Sequence, residues 1–284
     1  MTGCSDGIIQ EWRVCDGSKI GTTMNADSSV LVVAMSNDGK WIVSGELGRK
    51  LTVWDAKTHK KAVESTLPNA KWVNVLDVSP GSTRFASAST DGTVNIWSLM
   101  TGQRVVGPLE HNNRVECVVF SPDGDQVATA GAHDCLRIWD SRDGNLLVEV
   151  PGFFPESLVW WHDDRIFAST PFTQRWIDAL SGSTILEFPQ IEDATTKVHL
   201  AVSRNRSSLA SLNDHGVRLW DKSTPAWSFT VHEVSWNGCT IAVSPDCRHL
   251  VFGREDGISI WNLVGNAPEG ADRVSTSSSL MTVS

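Results

Sequence analysis

The chain contains no tyrosine, and its aromatic content comes from 13 tryptophans and 9 phenylalanines. Cysteine is sparse. Cys4, Cys15, Cys117, Cys135, Cys239 and Cys247 form no C-x-x-C pair, which removes zinc-ribbon and thioredoxin-type readings. Most lie in apolar runs and read as reduced core residues of an intracellular protein. No apolar run approaches the roughly 18 residues of a membrane span, and no secretory segment opens the chain. The expectation is a cytoplasmic protein, with the nucleus as the alternative compartment and no membrane partner. Basic residues are outnumbered, 24 Lys+Arg against 33 Asp+Glu, so the net charge of −9 argues against a nucleic-acid footprint. The eight histidines form neither HxH nor HExxH, and no GxxxxGK[ST] phosphate loop is present. No metal or cofactor is expected. Gly3-Cys4-Ser5-Asp6-Gly7 fits the G-x-S-x-G hydrolase elbow, but that motif needs a helix after the turn, and the sequence there reads as a strand.

What is present is a repeat. Seven tryptophans end alternating apolar runs: Trp12, Trp54, Trp97, Trp139, Trp176, Trp220 and Trp261, spaced by 42, 43, 42, 37, 44 and 41 residues. Asp follows Trp at Asp55, Asp140 and Asp221. Turns of Asp-Gly type precede several of these tryptophans, with Asp6, Asp91 and Asp214 six residues upstream. Farther upstream, strands end in Ser and a turn, as in Ser36-Asn37-Asp38-Gly39 and Ser121-Pro122-Asp123-Gly124. The clearest unit, Arg114 to Asp140, predicts strands over Val115–Ser121, Gln126–Ala132 and Leu136–Trp139, with Leu146–Val150 as a fourth. The stretch from Pro151 to Asp178 is the least regular. Trp160-Trp161-His162 replaces Ser-Pro there, and Pro171-Phe172-Thr173 replaces Asp-Gly.

The period and the Trp-Asp ending resemble the WD-repeat β-propeller family. The repeat style is similar to fungal WD arrays, including those attached to NACHT-type signalling proteins. The resemblance implies an all-β fold: a seven-bladed β-propeller of four-stranded antiparallel blades over residues 1–264. It also implies a structural hydrogen-bond set of His, Ser or Thr, Asp and Trp in each blade. Carried over, the set is His111, Thr129 and Trp139 in the central blade, where His133 stands at the expected Asp position beside Asp134. Ser87, Asp91 and Trp97 represent it in the preceding blade, and Asp6 and Asp214 supply turn aspartates elsewhere. The sets are mostly incomplete.

The first repeat lacks its inner strand and most of its second. Ser279-Leu280-Met281-Thr282-Val283-Ser284 imitates Thr240-Ile241-Ala242-Val243-Ser244, and Trp261 precedes Ser284 by 23 residues, where other repeats place 24 or 25 between Trp and the inner-strand Ser. The expectation is that residues 265–284, a polar linker and a terminal segment, supply the inner strand of an otherwise incomplete closing blade. The rival reading is a slice of a longer array.

For function, the expectation is a non-catalytic scaffold: a monomeric propeller within a larger complex, presenting one face to a protein or peptide. Lys71-Trp72, Phe153-Phe154-Pro155 and Ser235-Trp236-Asn237 precede inner strands and fall on that face. The candidate contact residues are Trp72, Lys71, Phe154, Trp236, Arg114 and Glu46, with Lys197 a further charge. The competing expectation is that these aromatics pack inward. Trp139-Asp140-Ser141-Arg142 fits a W-D-x-R sequence similar to one used by substrate receptors of cullin-type ubiquitin ligases, which is the alternative function; a propeller hydrolase is a third.

Overall fold

A computed structural model describes residues 1–13, 17–67, 72–161, 164–170, 172–189, 198–203, 208–213, 216–221, 224–231, 240–244, 249–254 and 257–262. The described residues hold strands, turns and no helix, and the strands bond into seven separate sheets. The first sheet is three-stranded: β1 (Thr2–Gly3), β2 (Ile8–Trp12) and β3 (Lys19–Asn25). Five four-stranded meanders follow. They are β4 (Val30–Met35), β5 (Trp41–Glu46), β6 (Lys50–Asp55) and β7 (Lys60–Thr66); β8 (Val73–Val78), β9 (Arg84–Ser89), β10 (Thr93–Ser98) and β11 (Arg104–Glu110); and β12 (Val115–Phe120), β13 (Gln126–Gly131), β14 (Leu136–Asp140) and β15 (Leu146–Val150). Then come β16 (Ser157–Trp160), β17 (Arg165–Ser169), β18 (Thr173–Asp178) and β19 (Thr184–Pro189), and β20 (His199–Val202), β21 (Ser208–Asn213), β22 (Gly216–Asp221) and β23 (Thr224–Val231). The last sheet is β24 (Thr240–Val243), β25 (His249–Arg254) and β26 (Gly257–Asn262). All pairings are antiparallel, and each inner strand neighbours the next, from β4 through β8, β12, β16 and β20 to β24. The expected closing strand, 279–284, lies outside the described residues, as does closure itself.

The core is a series of layers between sheets. In β5 and β9 nearly every residue is buried, because each sheet is covered on both faces by its neighbours. Val43, Leu51 and Val53 of one sheet meet Leu76, Val78, Phe85 and Trp97 of the next. Ala86, Ala88, Val94 and Ile96 then meet Phe120, Val127 and Trp139. Each large side chain buried this way contributes about 1.5–3 kcal/mol. Small residues on the second strands let the layers close. A Cβ on Gly45 would stand 2.8 Å from Val32 and 2.9 Å from Val73, so that position takes only glycine.

Two local bonds explain the recurrent serines and tryptophans. The serine just after an inner strand accepts from the N–H five residues on: Trp41 to Ser36 (2.9 Å), Arg84 to Ser79 (3.0 Å), Gln126 to Ser121 (2.9 Å), Ser208 to Ser203 (3.0 Å) and His249 to Ser244 (2.9 Å). This closes the turn into the second strand. The second bond joins the tryptophan to a hydroxyl ten residues upstream. The indole N–H of Trp12, Trp54, Trp97 and Trp139 donates to Thr2, Ser44, Ser87 and Thr129 at 2.8, 2.9, 2.8 and 2.7 Å.

The irregular stretch from Pro151 is a full sheet, but Trp176 is not its repeat tryptophan. In the fourth sheet Trp139 opposes Val127, and a bulge precedes it between Ile138 and Trp139. In the fifth, Ile177 opposes Ile166 and follows the same bulge, between Trp176 and Ile177. Ile177 thus takes the repeat position, facing the fourth sheet with Trp160, while Trp176 points the other way onto Trp161 and Phe167. Trp160, fully buried, occupies the place that Phe120 holds one sheet earlier.

Candidate functional site

Inner strands run away from one end of the meanders and second strands return to it. The loops entering inner strands and the turns between second and third strands therefore share that end. Hydrogen bonds tie them in pairs. Thr90 N–H donates to the Trp72 carbonyl at 3.0 Å, Leu47 N–H to the Ser29 carbonyl at 2.9 Å, and Glu156 N–H to the Ser169 carbonyl at 2.9 Å. On these loops Trp72 is 53% exposed and Phe154 43%, and Leu47 and Phe172 are also exposed. Phe153 turns inward, 3% exposed, with the Arg175 guanidinium 4.5 Å from its ring centre. The two expectations for the aromatics therefore divide by residue. Arg114 is largely exposed, and its Nε donates to Glu116 at 2.6 Å. Lys71, Trp236 and Lys197 lie outside the described residues.

Glu46 corrects the expectation directly. It is wholly buried rather than displayed. Its carboxylate accepts from the Thr52 hydroxyl at 2.7 Å and from the Asp27 N–H at 3.2 Å. It ties the loop entering the inner strand to the third strand, so it is a structural acceptor. Leu47 and Phe172 were missed by sequence reasoning. Each is a single apolar residue in a polar turn, and only the turn position of Phe172 beside Pro171 offered a signal.

Beneath this end the fourth sheet holds a complete polar network. The Trp139 indole donates to Thr129 Oγ1, which lies 2.7 Å from His111 Nε2; His111 Nδ1 lies 3.1 Å from Asp134 Oδ2. With the ring proton placed on Nδ1, the donors run Trp139, Thr129, His111 and end on the carboxylate, and the Arg137 guanidinium nitrogen 2.9 Å from Nδ1 donates to that same carboxylate at 2.9 Å. Asp134, not His133, completes the set. His133 sits in a left-handed turn at φ 53°, which lets Asp134 turn inward. Burial opposes ionisation of Asp134, but the N–H groups of Asn112 and Cys135 and the Arg137 guanidinium hold its carboxyl well below the usual carboxylate range. Burial and then Arg137 push the His111 imidazole down, keeping it neutral. Burial and then Glu149 push the Cys135 thiol up to about 12, which makes it an unreactive core thiol. Asp91 and Asp6 act only locally, Asp91 accepting from Thr93 and Asp6 from the Ile8 N–H at 3.0 Å. Asp214 lies outside the described residues.

No group of three or more potential metal-ligating side chains occurs among the described residues. Ser5 lies in the turn between β1 and β2, so the hydrolase-like motif has no helix to open. This end displays bulky apolar groups on hydrogen-bonded loops above a buried polar network.

Residues 17–55, 62–98 and 103–140 match the WD domain, G-beta repeat. These three segments are WD repeats. This WD-repeat chain is 30% identical to Autophagy-related protein 16 of Arabidopsis thaliana, over 93% of its own length and 45% of the relative. It is 25% identical to Periodic tryptophan protein 2 of the same plant, over 93% of itself and 30% of the relative. To Protein groucho of Drosophila melanogaster it is 27% identical, over 50% and 20%. The chain thus spans less than half the length of these curated relatives. A chain in the crystal structure of the mitotic checkpoint complex superposes with a TM-score of 0.78 at 18% identity, over 91% of this chain and 82% of that one, and shares the propeller fold. WD-repeat proteins typically serve as interaction scaffolds in complexes. The three matched segments are also the regular ones: among the described residues, only their sheets carry the bulge between inner and second strands, at Val30/Val32, Val73/Val75 and Val115/Cys117.

Proposed function

We propose that this chain is a non-catalytic cytoplasmic scaffold, one propeller within a larger complex, holding a peptide or protein on the end that displays Leu47, Trp72, Phe154 and Phe172. The observation carrying this reading is the outward placement of Trp72 and Phe154 beside inward-packed Phe153. Exposed aromatics on a rigid frame supply large contact area at low entropic cost. The similarity to a chain that works inside a multiprotein assembly supports it. The test is affinity capture with mass spectrometry, comparing the wild type with Trp72→Ala/Phe154→Ala. The expected result is loss of specific partners with a melting temperature within about 2 °C of wild type. Retained partners, or a large drop in melting temperature, would sink the reading.

A second reading has one favouring observation. Arg142 of the W-D-x-R sequence is 63% exposed at the opposite end, with its guanidinium on Asp140 at 3.0 Å. A cullin complex captured by the wild type and lost with Arg142→Ala would select the ligase-adaptor function instead.

A further inference from the structure

Outer strands leave one edge unpaired, and exposed edges are normally guarded by charge, proline or irregularity. β7 carries Lys60, Lys61 and Glu64. In β11, Pro108 removes a backbone donor. β3 has Lys19 and a left-handed Gly21. β15, of sequence LLVEV, has no lysine, proline or left-handed glycine; its one charge is Glu149, at the register of Glu64 in β7, and both Leu146 and Leu147 are exposed. The next sheet adds to the patch. Its turn packs on β15 through Gly182, where a Cβ would stand 2.8 Å from Val148, and the same turn displays Leu180 at 64% exposure. The corresponding turn beside β11 is polar, Ser141 to Asn145. Acidic groups bracket the edge. Asp143 is exposed before it, and Glu149 stands near its end. Glu149 Oε1 accepts from Arg137 and Cys135, while Oε2 has no partner among the described residues.

We propose that the outer edge of β15 binds an extended segment of a partner protein as an added strand, apolar in its middle and basic at its ends. The unpaired backbone row calls for a strand, Leu146, Leu147 and Leu180 call for apolar side chains, and Asp143 and Glu149 call for Lys or Arg. The site lies at the rim near the end opposite Trp72 and Phe154, so it is a second surface.

The probe is a blocked, fluorescein-labelled heptapeptide, Lys-Val-Thr-Val-Thr-Val-Lys, titrated into the full chain and followed by anisotropy. Saturable binding is expected, weakened about tenfold or more by Leu147→Lys, which puts a cation on the edge strand, and also by Leu180→Ser. Replacing the peptide's central Val with Pro, or both Lys with Glu, should weaken it similarly, whereas Trp72→Ala/Phe154→Ala should leave it unchanged. Equal binding by the Leu147→Lys chain with unaltered melting, or by the proline peptide, overturns the proposal. So does a wild-type dimer that Leu147→Lys renders monomeric, because the edge would then pair with itself. Capture by the Trp72 end is independent of Leu147→Lys, so failure of either reading is seen separately.

Discussion

Replacing Asp134 with Ala is expected to cost about 3 kcal/mol, because it leaves His111 and the Asn112 N–H without their acceptor and removes one of the two carboxylates on Arg137, Glu149 being the other. Asp91→Ala, which removes only a local turn bond to Thr93, should cost about 1 kcal/mol or less. Urea unfolding of both variants makes the comparison, and equal losses would show that the network adds nothing beyond a turn. The same network sets an acid dependence. His111 is held neutral in the fold, with its affinity for a proton lowered. The unfolded chain therefore takes up that proton first, and stability declines as pH falls below about 6.5. Asp134 has its carboxyl lowered, so its stabilisation is complete above about pH 4 and is lost as pH falls through the folded value. Both shifts act in one direction. An unfolding series from pH 8 to about 2 should show a decline starting near pH 6.5, absent in His111→Gln, and a further one below about pH 4, reduced in Asp134→Ala. Parallel curves for all three proteins would assign the acid sensitivity elsewhere.

Trp160→Ala should be the most damaging apolar truncation, at about 3–5 kcal/mol. Trp160 is fully buried in the layer shared by the fourth and fifth sheets, against Ala128, Ile138, Ile166 and Ile177. That layer lacks the repeat tryptophan, because Ile177 stands in its place. It also lacks the hydroxyl acceptor, since Ala168 opposes Arg175 where Thr129 opposes Arg137. Trp160 supplies the missing volume from the inner strand, so its removal leaves a cavity that small neighbours cannot fill. Thermal melting decides the matter. A loss no greater than about 1 kcal/mol would mean the sheets collapse onto the space.

The architecture was legible because its signals are periodic. The Ser-turn endings and Trp positions each reflect a bond that recurs sheet after sheet, and the strands of the Arg114–Asp140 unit fall within a residue of expectation. Side-chain direction at irregular points was not legible. Trp176 keeps the approximate spacing, yet a one-residue shift reverses its facing, as any such slip does in a strand. Asp134 was obscured by His133 because composition does not reveal which of two adjacent turn residues adopts the left-handed conformation. Glu46 looked like surface charge because carboxylates usually are; only the Thr52 hydroxyl and Asp27 N–H around it make burial tolerable. Phe153 and Phe154 are identical in sequence terms and opposite in space.

The bonds from indole N–H to hydroxyl have a further use. Trp54, Trp97 and Trp139 each sit in a different sheet with the indole proton sealed in a buried bond. Indole protons give nuclear magnetic resonance signals apart from the crowded amide region. Their exchange with deuterated solvent reports the opening of one sheet at a time. The repeat has thus placed an isotope clock in three successive sheets, able to tell whether they open together or in sequence along the chain.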